Sequence, residues 1–153
     1  MCWSVYIATP QALTGVTFST AWPEDGSRPP ALHFEEMLDE EEESNLYRPF
    51  FKGKHLYNVG SDTGCGCGLE RSYTITTTPD ETIIDYYSDE SPLAFIDFIK
   101  KHSRETPLEM YVVWEDDRRL EPLENVEIDA KVLTIDSYFE LVSRRFYTFY
   151  AEC

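Results

Sequence analysis

Positive charge is scarce in this sequence. Thirteen Lys and Arg stand against 29 Asp and Glu, a formal charge of −16 at pH 7. A surface of that sign repels phosphate backbones and anionic headgroups, so nucleic acid and membrane are not expected partners. A basic protein is the partner such a field would attract and steer. Long apolar runs are also missing, since no stretch approaches the roughly 18 residues of a membrane-crossing helix. The opening MCWSVYIATP has neither the positive region nor the apolar region of a secretory signal, and the expectation is a cytoplasmic protein.

Cysteine is sparse, with only Cys2, Cys65, Cys67 and Cys153. In a reducing compartment four such residues do not make a disulfide framework. The histidines His33, His55 and His102 have no neighbour at metal or triad spacing. There is no H-E-x-x-H, no G-x-S-x-G, no C-x-x-C and no phosphate-binding G-x-x-x-x-G-K-[ST]. No catalytic constellation and no cofactor are therefore implied.

What is present is material for one core. The 153 residues are 42% hydrophobic and 14% aromatic, enough for a single domain over 1–153. Trp3 to Thr9 is a β-branched and aromatic run that reads as a strand. Residues 22–31, with three prolines, read as a loop. ALHFEEML then has the alternation of an edge strand, and residues 39–43, DEEEE, form the centre of an exposed acidic loop over 38–45. Its members Asp39, Glu40, Glu41, Glu42 and Glu43 are the candidate contact surface for a cationic partner.

Further strands are expected at 54–61, at 71–78 and 82–87 around a Pro79–Asp80 turn, and at 107–116. The last holds Met110 to Trp114, apolar without a break, and belongs in the middle of a sheet. One helix stands out over about 91–104. Ser91 suits its N-cap, Pro92 its first turn, and Leu93, Phe95, Ile96, Phe98 and Ile99 its apolar face. Lys100, Lys101, His102 and Arg104 match the dipole at its end. A strand over 130–135 and a final one within 139–151 complete the pattern, with a short helix over 136–143 as the alternative for the latter's start. The class is α+β: a mainly antiparallel, twisted sheet with one principal helix packed on a face.

One stretch asks for a specific explanation. SDTGCGCGLE, residues 61–70, places Cys65 and Cys67 among Gly64, Gly66 and Gly68. In extended backbone two such side chains share a face. The glycines allow positive φ or a close approach of another group. Four uses fit: a tightly packed turn, a soft-metal site, a strained redox pair, or a nest of N–H groups for an anion. A metal site would have to recruit further ligands such as Cys2, His55 or Cys153. Cys2 has one more option. With Met1 removed, its own amine could act as the base for its thiol, as in N-terminal nucleophile enzymes.

MCWSVYIAT, HLYNVGSDTGCGCGL and YVVWEDD together resemble a group of small bacterial proteins without an established activity. These begin with Met-Cys, an aromatic and Ser, and carry a G-S-x-x-G-C-G-C-G-hydrophobic stretch. The resemblance implies that Cys2, Cys65 and Cys67 belong to one feature. Charge and size lead to a first functional expectation: an acidic, immunity-like module that docks a basic protein. The rival is a thiol-dependent metal-binding or redox protein built on the Cys-Gly-Cys motif, and an accessory domain without chemistry is the third.

Overall fold

A computed structural model describes residues 2–13, 30–61, 65–71, 73–86, 89–137 and 139–151. Met1, Gly64, Cys153 and all but the end of the expected 22–31 loop lie outside these. The chain folds as one α+β domain, as its composition and pattern anticipate. Its strands are β1 (Trp3–Thr9), β2 (Leu32–Glu36), β3 (His55–Ser61), β4 (Tyr73–Thr77), β5 (Thr82–Tyr86), β6 (Leu108–Trp114), β7 (Glu124–Asp129) and β8 (Arg145–Tyr150). Its α-helices are α1 (Glu42–Tyr47) and α2 (Glu90–His102).

Six strands make the main sheet in the order β2-β3-β1-β6-β8-β7, and β4 pairs with β5 separately. Every pair is antiparallel except β7 with β8. Centrality follows from side-chain chemistry. β1 and β6 are apolar on both faces, so both faces must be covered and neither strand can sit at an edge. On one face Val5, Ile7, Val59, Met110, Val112 and Phe149 are buried with Phe95, Ile96, Phe98 and Ile99 of α2. On the other, Tyr6, Ala8, Tyr111 and Val113 pack with Tyr47 of α1, and Leu46, Phe50 and Phe51 close the edge. Tyr6 and Tyr47 stack with ring centroids 4.4 Å apart. β2, the expected edge strand, is at the edge.

Five expectations need correction. Residues 130–135 are not a strand: Ala130–Val132 is a 3-10 turn, and the Asp129 carboxylate at its start accepts from Lys131 N at 3.0 Å. The strand lies earlier, at Glu124–Asp129, where ENVEID mixes charges with Val126 and Ile128 because only one flank is paired. Ser91 does not cap α2. Asp89 occupies that position without a side-chain cap bond, and the Ser91 hydroxyl donates to Ala31 O at 2.6 Å, tying helix to sheet. Leu93, expected inward, is exposed.

The last two corrections concern segments read as irregular or ambiguous. The 38–45 stretch is only half a loop, because Glu42–Tyr47 is helical and buries Ser44 and Tyr47. Residues 139–144 are neither helix nor strand, and β8 begins at Arg145. Here the Tyr147 hydroxyl takes over the pairing, accepting from Val142 N at 3.2 Å and donating to Glu140 O.

Candidate functional site

The glycine–cysteine stretch begins where β3 ends. Both the backbone N–H and the hydroxyl of Ser61 donate to Cys65 O, at 2.9 and 3.0 Å. That pair of hydrogen bonds closes the chain on itself four residues on. Gly66–Leu69 then forms a 3-10 turn rather than extended strand. Leu69 at its end is fully buried in the core shared by β1, β3 and α2. Burying a leucine side chain is worth about 2–3 kcal/mol, so this residue pins the turn to the sheet.

Gly66 has a definite reason to be glycine. A Cβ there would stand 2.8 Å from Trp3 O and 2.9 Å from Val5 Cγ2, inside contact distance of the β1 backbone. The close approach brings Cys67 against the start of β1, and Trp3 N–H donates to Cys67 Sγ at 3.4 Å. Cys2 directly precedes Trp3, and its carbonyl accepts from Glu115 N at 3.2 Å, just past the end of β6. Trp3 stands edge-on to its cross-strand partner Trp114, ring centroids 4.6 Å apart, and its indole N–H donates to the Glu70 carboxylate at 3.3 Å.

The outcome is a three-thiol cluster. The Sγ atoms of Cys2, Cys65 and Cys67 all lie within 4.8 Å of one another. All three are thiols rather than disulfide sulfurs, and each residue is half-buried. Burial pushes the Cys67 thiol up to about 11, against a partial lowering by the Trp3 N–H, and the neighbouring Cys65 and Cys2 sulfurs push the same way. A sulfur so placed holds its proton at neutral pH until something exchanges for it. Three converging thiols can surrender protons to a soft ion, or two can join as a disulfide.

The other expected residues are elsewhere. His55 is at the far end of β3, opposite Thr9, with Nδ1 2.7 Å from the Glu36 carboxylate. His33 is buried on β2 opposite Gly60, and His102 packs on Phe98 at 4.4 Å. Gly68 is half-buried within the 3-10 turn.

The acidic run lies on the opposite face, at α1, and is largely engaged within the molecule. Asp39 pairs with Arg48 and Glu42 with Arg119, each at 3.2 Å. The Glu41 carboxylate accepts from Leu38 N at 3.0 Å, and Glu43 accepts from the Tyr6 hydroxyl. Glu40 is exposed.

Motif reading missed Ser61, Trp3 and Glu70 as parts of the cysteine site, although all three flank its cysteines in sequence. It also missed Glu109, a buried carboxylate on β6 that accepts from Lys52 N and Gly53 N at 2.9 and 2.7 Å. That carboxylate borders a cleft of about 780 Å³ over β6, β8 and β7, walled by Pro10, Phe50, Pro107 and Pro122. Nothing in the local sequence marks it. Compared with protein-family models, curated proteins and solved structures, the chain matches none.

Proposed function

We propose that this protein binds a soft metal ion through the thiolates of Cys2, Cys65 and Cys67. One observation carries the reading: sulfurs from two distant parts of the chain converge within 4.8 Å of one another. Metal–thiolate bonds run about 2.3 Å, so three sulfurs around one ion stand about 4 Å apart. The cluster needs only small adjustments to reach that spacing. Disulfide chemistry accounts for the arrangement less well, because any one bond leaves a third sulfur without a role. A bond between Cys65 and Cys67 themselves would also strain a three-residue ring.

The test is elemental analysis of protein purified without oxygen or chelator, paired with thiol titration before and after metal removal. The expected result is one soft ion per chain, with Cys2, Cys65 and Cys67 protected from alkylation until a chelator takes it. A metal-free protein that also fails to take up zinc or copper(I) in reconstitution, with its thiols equally reactive throughout, removes the reading.

A second reading rests on the net charge of −16: a module that docks a basic protein. Its association would be steered by long-range attraction and would weaken steeply with salt. Exposed Glu40 supports it, whereas the other four acids of the run already have partners in the chain. Pull-downs at low and high ionic strength test it, and recovery of no salt-sensitive partner counts it out.

A further inference from the structure

Which ion the cluster takes follows from how many donors it offers and how open it is. Among the described residues, no histidine, carboxylate or further cysteine joins the three sulfurs in one group. His55 is committed to Glu36 at the other end of β3, and the Glu70 carboxylate is held by the Trp3 indole. Zinc in a structural site asks for four donors in a tetrahedron. Three thiolates with no fourth donor among the described residues leave it one short, whereas a soft monovalent ion is content with sulfur alone.

The scaffold splits the site into a fixed and an open side. Ser61 clamps Cys65 O, Gly66 abuts Trp3 O, and Leu69 is buried, so the turn's backbone has little freedom. The three cysteine residues are all half-buried rather than enclosed, while the backbone behind the turn stays put. A closed structural site would shield them on all sides.

Resting on the metal-binding reading, we propose that the ion is copper(I), held three-coordinate by Cys2, Cys65 and Cys67, and that it is passed on by exchange with an incoming thiol. In that exchange the incoming sulfur bonds to copper and its proton moves to the departing cysteine. The bond from that cysteine to copper then breaks. Copper stays monovalent throughout, and no electron is gained or lost.

The experiment uses the full chain under nitrogen, loaded with copper(I) as its acetonitrile complex and, in parallel, with zinc. Competition with a colorimetric copper(I) chelator gives affinity, and X-ray absorption counts the scatterers on the metal. One copper per chain, three sulfur neighbours and no light-atom neighbour are expected, with copper(I) held at least about 100-fold more tightly than zinc. Cys67→Ser should cut copper(I) affinity at least about 100-fold and leave two sulfur neighbours. The wild-type coordination count decides the matter even if that variant folds poorly.

Four-coordinate zinc held more tightly than copper(I), or copper(I) with two sulfurs, overturns the copper assignment and leaves metal binding standing. Uptake of neither ion overturns both. For the exchange, glutathione is mixed rapidly with the copper-loaded protein and the sulfur-to-copper absorbance is followed. A decay rate that climbs with glutathione concentration supports direct thiol attack. A rate that does not change with glutathione concentration overturns it.

Discussion

The acidic run 39–43 and the cysteine turn 65–69 are the two compositional oddities of this chain, and the fold treats them differently. They stand on opposite faces of the sheet. Apart from Glu43 on the Tyr6 hydroxyl, the acidic run is held from outside, by surface ion pairs such as Glu42–Arg119, with side chains 77% and 69% exposed. The cysteine turn is held from inside, by a leucine in the core and a glycine against the neighbouring strand. Exposed pairs are screened and entropically costly, and their net worth is small. Buried apolar contact and close packing are neither. An oddity anchored by the core can hold side chains in one geometry, while one anchored at the surface serves chiefly to complete a helix end.

That contrast can be broken by substitution. Leu69→Ala should have the largest effect, destabilising the fold by about 2–5 kcal/mol in urea denaturation and weakening metal uptake with it. A loss under about 1 kcal/mol would show that the turn is not core-anchored.

The next effect is one of reactivity. Cys67, pushed from its ordinary 9.0 up to about 11, keeps its proton through neutral pH. Only the thiolate attacks, so its alkylation at pH 8 in metal-free protein should run about 100-fold below that of an ordinary thiol and rise until near pH 11. The sign for stability runs the same way. A thiol whose folded pKa is raised favours the fold at low pH and loses that contribution between about 9 and 11. Peptide mapping after brief iodoacetamide treatment measures the reactivity, and a Cys67 that reacts first among the three contradicts it.

Gly66→Ala puts a methyl 2.8 Å from Trp3 O, a backbone atom in a central strand that cannot step aside. Overpacking of this kind costs about 1–3 kcal/mol, and the sulfur cluster should open as the turn shifts. Thermal unfolding together with metal affinity reads both, and unchanged values in each would mean that the approach is looser than it looks.

Smallest of all should be the acidic side. Glu42→Gln and Arg119→Gln, singly and together, should show a coupling below about 1 kcal/mol that vanishes in high salt. A larger, salt-resistant coupling would erase the difference between the two regions.

Much of the fold was legible beforehand because burial leaves a periodic trace. WSVYIAT and LEMYVVW are apolar on successive residues, which only a strand covered on both faces tolerates, and they became the two central strands. The helix over 90–102 was legible from the spacing of Phe95, Ile96, Phe98 and Ile99. Its cap was not, because Ser91 found a better partner in Ala31 O than in its own helix. ENVEID escaped notice because an edge strand with one paired flank carries charge as readily as a loop does.

Of the site, the cysteines and glycines were conspicuous as residue types, and the resemblance joined Cys2 to them. The reason for Gly66 was not legible, since it depends on a carbonyl of β1 that lies far away in sequence.

By itself, then, the chain determined its α+β class, its strongly negative field and the presence of sulfur in a glycine frame, because these follow from composition and short-range spacing. Only the tertiary structure decided that Cys2 meets Cys65 and Cys67. That meeting requires β1 to lie antiparallel beside β3, with Leu69 drawn into the core between them and the helix. Pairing across the sheet is a long-range event, and local sequence carries no measure of it.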